Sequence, residues 1–316
     1  MAVAPLLAGC ESAPAPTAAP LKVARVGFLS RRPPDPPFPP NEAFRDQLRD
    51  LGWVEGRNLT IEWRYFGGPN NPARNLVSDL VNSKVDVMVS DEGAVRAIKE
   101  ANLSIPAVFI AITDPVESGL VASMARPGGN LTGIFAFPPT IFRKILEAVR
   151  EAFPQAKRVV MFHAANQAGV WEQEVAAAAP TLGFELQLIQ ILSAGDMTRT
   201  FEQLARNRPD MLIPAGAAGG YASQIIELAT AHRIATAWHD EIWVRAGGLM
   251  SYGPDQIHIY RQAAVYADKI LKGAKPADLA VETNRALYLT LNLKVAKAIG
   301  VTFAPAVLAR ADEVIQ

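Results

Sequence analysis

The side chains of this chain that could do chemistry fall where apolar runs end. Ser30 closes Val26-Gly27-Phe28-Leu29, the group Ser90, Asp91, Glu92, Gly93 and Ala94 follows Val87-Met88-Val89, and Asp114 follows Val108-Phe109-Ile110. Further along, His163 and Asn166 follow Val159-Val160-Met161-Phe162, and Gly216 and Ala217 follow Met211-Leu212-Ile213-Pro214. Asp240 and Glu241 come just after Trp238, and Ser251 and Tyr252 just after Met250. Carboxylates, hydroxyls, an amide and an imidazole in such places suit reversible hydrogen bonding and charge pairing with a small polar molecule. Bond-making chemistry lacks its signatures: there is no Gly-x-Ser-x-Gly elbow and no Walker lysine loop, and Gly216-Ala217-Ala218-Gly219-Gly220 only echoes a dinucleotide loop.

Each candidate has a plainer use. Asp114 could pair with a ligand ammonium or open an Asp-Pro turn, and Asp91 and Glu92 could meet a ligand or cap the helix behind them. Phe135, Trp171, Trp238 and Tyr252 could wall a pocket, although aromatic side chains mostly belong to cores. Of the 4 histidines, His163 and His239 stand at strand ends while His232 and His258 read as helix surface. Their pairing with Asp240 or Glu241 has no diagnostic ligand spacing, so no metal is expected.

Strands alternating with helices would put these residues in common loops. Residues 22–30, 58–65, 85–89 and 105–110 read as strands, separated by helical periods through Ala43, Phe44, Leu48 and Leu51, over 73–82 and over 94–100. A short helix is expected at 120–124, stopped by Arg126-Pro127-Gly128-Gly129-Asn130. The alternation then restarts, with helices at 140–153, 170–182, 198–207 and 223–232 and strands at 158–162, 185–191, 211–214 and 235–238. Gly247-Gly248-Leu249-Met250-Ser251-Tyr252-Gly253 reads as a crossing between lobes that feeds a helix at 257–272, and the last segment, 288–300, ends in a helix starting near Asn292. The predicted class is α/β, with two doubly wound parallel-sheet lobes joined by a three-segment hinge. Residues 22–134 with 254–287 form the first lobe, and 135–253 with 288–316 the second. Ligands of such sheets bind beyond the carboxyl ends of the strands, where the candidates lie.

Totals narrow the function. At 316 residues the chain exceeds what one hydrophobic core usually supports. Lysine plus arginine (31) match aspartate plus glutamate (31), which removes the charge footprint of a nucleic-acid binder. No apolar run reaches the roughly 18 to 20 residues that span a bilayer. The single cysteine, Cys10, excludes an internal disulfide. Its setting, Leu6-Leu7-Ala8-Gly9-Cys10, matches a bacterial lipobox, so lipidation of Cys10 is expected, with residues 1–21 as signal and Ala/Pro-rich tether. The stretch ahead of Cys10 is short and carries no Lys or Arg, which points to a start codon further upstream.

One set of landmarks runs through the chain in order. It comprises Leu51-Gly52-Trp53-Val54-Glu55-Gly56-Arg57-Asn58-Leu59, Val85-Asp86-Val87-Met88-Val89, the run from Asp114-Pro115 to Asn130-Leu131-Thr132-Gly133, the Ser251-Tyr252-Gly253 crossing, Lys269 to Leu279, Asn292-Leu293-Lys294, and Leu308 to Val314. On these, from about Lys22 to the C-terminus, the chain resembles the bacterial ABC-transporter substrate-binding proteins of type I periplasmic-binding fold, the family of the tryptophan/tyrosine uptake lipoproteins. The resemblance implies two lobes closing on a small polar organic solute, an amino acid above all, aromatic or branched ones included. It further implies delivery to a permease with its ATPase, no cofactor, no nucleic acid, a monomer, and a periplasmic or cell-envelope location with a lipid anchor at Cys10. Three loops depart from the family pattern: Ser90-Asp91-Glu92-Gly93-Ala94 is acidic where the family is small and neutral, His163-Ala164-Ala165-Asn166-Gln167 replaces an Asn-Pro-x-Asn-Pro type, and the loop after Pro214 is barer. A ligand-sensing receptor domain of the same fold, and more remotely an enzyme on a doubly wound sheet, are the alternatives.

Overall fold

The computed structural model describes residues 23–30, 38–66, 73–101, 104–111, 114–136, 140–163, 170–215 and 221–316. Two sheets organise them. The first takes its strands from β1 (Ala24–Ser30), β2 (Leu59–Tyr65), β3 (Val87–Asp91), β4 (Ala107–Ala111), β5 (Leu131–Phe135) and β11 (Glu282–Thr283), all parallel, in the order β11-β5-β4-β3-β1-β2. Helices α1 (Pro39–Asp50) and α9 (Gln256–Leu271) cover one face, and α2 (Ala73–Asn82) and α3 (Glu92–Glu100) the other. Val26, Phe28, Val87 and Val108 face Phe44, Leu48, Tyr260 and Ala264, while Met88 and Phe109 face Leu80, Val95 and Ile98. Burial on both faces explains why these strands read as continuous apolar runs; each large side chain removed from water contributes about 1.5 to 3 kcal/mol.

The second sheet has two parts. Strands β6 (Arg158–His163), β7 (Glu185–Gln190) and β8 (Met211–Pro214) run parallel in the order β7-β6-β8. A bridge from Leu212 to Thr236 joins them to β9 (Ala237–Trp238), β10 (Met250–Pro254), β12 (Leu287–Asn292) and β13 (Glu313–Ile315), ordered β13-β12-β10-β9. One face carries α4 (Ile141–Ala152), α5 (Val170–Thr181), α10 (Leu293–Ile299) and α11 (Pro305–Arg310). The other carries α6 (Ala194–Arg206), α7 (Ala222–Ala231) and α8 (Glu241–Arg245). The chain passes from the first sheet to the second after Phe135, back after Pro254, and across once more between Thr283 and Leu287.

Local chemistry sets the ends of these elements. Prolines 39 and 40 open α1, where their fixed φ suits the first turn. Ser193, Asp255 and Asn292 cap α6, α9 and α10 by accepting from backbone N–H groups, and Gly300 (φ 77°) closes α10 in the left-handed region. The strand β5 needs Gly133, because a Cβ there would stand 2.0 Å from the Phe109 carbonyl oxygen.

Three expectations are corrected. Leu120–Met124 is turn and bend rather than helix: the Leu120 and Val121 N–H groups both bond to the Pro115 carbonyl, closing a compact turn. The second sheet is not wholly parallel, since β10 and β12 run antiparallel. The strand after residue 235 is short and leads into α8, a helix whose single turn carries too few residues to show a period.

Candidate functional site

At the carboxyl end of the first sheet, Ser30 lies opposite Tyr65 in the β1–β2 register and level with the β3 end at Ser90. Ser30 is fully buried and its carbonyl accepts from the Phe66 N–H at 3.0 Å. Ser90 is buried too, its Oγ donating 2.6 Å to the Asp91 carbonyl. The Asp91 carboxylate caps α3, accepting from the Gly93 N–H at 3.2 Å. Gly93 is exposed at that first turn, whereas Ala94 is core, packed with Val95 and Ile98. The Glu92 side chain lies outside the described residues. Asp114 accepts from the N–H groups of Val116 (2.7 Å) and Glu117 (3.0 Å) through one oxygen, Oδ1. Its first task is therefore to hold the turn.

The second sheet presents a matching edge. His163 ends β6 and its Nδ1 stands 3.1 Å from Glu172 Oε1 on α5, both side chains mostly buried. Asn166, Gly216 and Ala217 lie outside the described residues, as does Cys10, and the side chain of Trp171 likewise. Trp238 is core: fully buried, it donates to Thr236 Oγ1 at 3.0 Å. Phe135 is core as well. Tyr252 is half-buried, with the Arg310 guanidinium 5.4 Å from its ring centre. His232 caps α7 at its C-terminal end and its ring stacks on Phe201 at 6.2 Å, so it is more than helix surface.

Asp240 and Glu241 follow the carboxyl end of the parallel strand β9, at the start of α8, and Ser251 lies on β10 beside Trp238. Asp240, 3 % exposed, caps α8 by accepting from the Ile242 N–H at 3.1 Å. Glu241 is 9 % exposed, and burial first, then the charges of Asp240 and Asp255, push its carboxyl up to about 8. Gly253 follows close by, its backbone against that of His239: a Cβ there would come 1.8 Å from the His239 carbonyl oxygen. The sequence reading missed Tyr65, Asp255, Thr290 and Asn292. The alternation of β2 signals Tyr65, and cap residues ahead of helical periods signal Asp255 and Asn292, whereas Thr290 has no local signal and reaches the crossing through the β10–β12 pairing.

Among the described residues no His, Cys, Asp and Glu group is arranged to hold a metal ion, and no helix is long and apolar enough to cross a membrane. A hollow of about 740 Å³ lies at the opposite end of the first sheet, beside Ala24, Asp86, Pro106 and Asn130. Size alone therefore does not mark the site; strand polarity does.

The model of a family described as ABC transporter substrate binding protein matches residues 40–315. The chain belongs to that family. Members bind a small solute for an ABC transporter outside the cytoplasm. Among curated proteins, a tyrosine-binding protein of Clostridioides difficile (strain R20291) is 23 % identical over 262 residues, 82 % of this chain and 75 % of the relative. Among solved structures, a conserved domain protein from Vibrio cholerae is 26 % identical, with a TM-score of 0.79 over 93 % of this chain and 100 % of that one. An ABC domain in complex with L-Trp from Streptococcus pneumoniae is 23 % identical, with a TM-score of 0.80 over 92 % of this chain and 99 % of that one. This ABC substrate-binding protein accordingly has the type I periplasmic-binding fold.

Proposed function

We propose that this substrate-binding protein captures an amino acid between two lobes and hands it to the permease of an ABC importer, making and breaking no covalent bond. One lobe comprises residues 22–134 with 254–287, the other 135–253 with 288–316, and the three crossings form the hinge between them. The observation that carries this reading is that both sheets end in polar side chains at the carboxyl ends of parallel strands, Ser30, Ser90 and Asp91 on one and His163 on the other. A solute held from both sides makes contacts only the closed form can offer, which is what drives closure. The names of the relatives favour an amino acid with an aromatic side chain.

The second oxygen of Asp114 suits a ligand ammonium, its first being held by the Val116 and Glu117 N–H groups. Asn166, Gly216 and Ala217 are proposed to complete the second edge, with Tyr65 joining Ser30 on the first. The protein works as a monomer, tethered to the cell envelope through Cys10. Titration calorimetry across the amino acids is the test. Saturable binding of one or a few, with tyrosine or tryptophan foremost, is expected, and its loss in Asp114→Ala without loss of the thermal transition would place the ammonium. Flat traces across the whole panel would reject an amino-acid solute, and measurable chemical conversion of a bound compound would reject pure binding.

A further inference from the structure

A group of buried polar side chains lies under α8, the short helix that follows β9. This short helix touches both halves of the molecule: Ile242 packs against the core formed by Phe28, Phe38 and Tyr260, whereas Val244 belongs to the core of Phe162 and Trp238. Beneath it run β10 and β12. Met250, Leu289 and Leu291 point to the α4 side of that sheet, so the alternation of a strand turns Ser251, Thr290 and Asn292 toward α8. The bond from Asn292 Nδ2 to the Val244 carbonyl (3.1 Å) fixes that face under the helix. Ser251 and Thr290 are direct partners in the antiparallel register, 1 % and 0 % exposed, and neither hydroxyl has a hydrogen-bond partner among the described residues. Glu241, at the buried start of α8, is the ionisable group whose helix lies over them.

We propose that Glu241 is a proton-binding switch at the lobe crossing, whose protonation state sets how α8 sits between the two halves and so links solute capture to pH. The linkage to solute rests on the amino-acid receptor reading above. A neutral carboxyl brings no charge to be desolvated at this buried helix start, which packs against the cores of both halves. An ionised one adds a buried negative charge to a crowded set. Asp240 precedes it on the same turn, Asp255 faces it from the start of α9, and Tyr288 enters from β12 with Asp312 and Glu313 behind it on the β13 side. His239 belongs to the preceding turn. The facing cation is Arg245, which is shared with Glu313 at 2.7 Å. With burial and these neighbours, the carboxyl changes state at about 8, within reach of ordinary growth conditions.

The test uses the full chain in two stages, the first without solute. Carbon-detected NMR of carboxyl-labelled glutamate is expected to show one resonance with a midpoint well above the ordinary glutamate range, absent in Glu241→Gln, and moved down in Asp255→Asn, which keeps the cap of α9. Amide exchange of residues 241–258, corrected for its intrinsic pH dependence, is expected to be about 10-fold faster at about pH 9 than at about pH 6.5 in the wild type and level in Glu241→Gln. No upshifted carboxyl, or the same exchange profile in both proteins, overturns the switch whatever the solute proves to be. The second stage measures affinity for the best amino acid at the same two pH values, where the wild type is expected to change about threefold more than Glu241→Gln. Equal changes overturn the link to capture, and an absence of binding at either pH counts against the receptor reading while leaving the first stage to judge the switch.

Discussion

At the residue scale, buried polar groups divide by whether their bonds are complete. Asn292 accepts from the Val295 N–H at 3.0 Å and donates to the Val244 carbonyl, so one side chain caps α10 and pins α8. Asn292→Ala is expected to lower stability by about 2 kcal/mol in urea denaturation, the sum of a lost cap and an orphaned buried carbonyl. Thr290 is its contrast. Its hydroxyl is buried without a partner among the described residues, so Thr290→Val, nearly the same shape, is expected to cost nothing or to stabilise by up to about 1 kcal/mol. A loss comparable with that of Asn292→Ala would show that the hydroxyl has a bonded role in the folded protein. The sequence made the strand-end candidates legible, because Ser30, Ser90, Asp114 and His163 each follow a plain apolar run. It did not separate cap from contact: Asp91, Asp114 and Asp240 all spend carboxylate oxygens on local N–H groups, and only coordinates reveal which oxygens remain.

At the scale of elements, period and length decided what could be read. Helices α2, α4 and α9 span two turns or more, so their apolar stripes show in the sequence, and the parallel strands of the first sheet show as buried runs. The single turn of α8 has no stripe to read, and the antiparallel pairing of β10 with β12 joins segments about 40 residues apart that carry no mutual signature. Leu120 and Val121 misled because two apolar neighbours before a Pro-Gly stop resemble a helix end, while their backbone bonds run back to Pro115. The crossing at residues 250–254 was legible through its glycines, and it provides a sharp test. Gly253 approaches the His239 backbone too closely for any side chain, so Gly253→Ala must push β10 away from the turn that carries Asp240 and α8. Loss of about 3 kcal/mol or more is expected, with faster amide exchange spreading from residues 239–254. Alanine tolerated there without change would mean that β10 does not hold this register in solution.

At the scale of the whole molecule, two sheets share three crossings, and one of those crossings contains a carboxyl whose charge the fold disfavours. The consequence for stability has a definite sign. Glu241 has an ordinary value of 4.5 when unfolded and about 8 when folded, so between those limits the folded chain holds a proton that the unfolded chain has released. Stability from this group is fully present below about 4.5, falls as pH rises through that window, and levels off above about 8. Glu241→Gln removes the dependence. In urea titrations the variant is expected to gain on the wild type progressively as pH rises, by about 2 kcal/mol at about pH 9, with little or no gain at about pH 4.5. The midpoint should move while the slope with urea stays constant, since the surface exposed on unfolding is unchanged. Parallel pH profiles for the two proteins would show that the crossing carries no trapped proton, and that α8 tolerates an ionised Glu241 without cost.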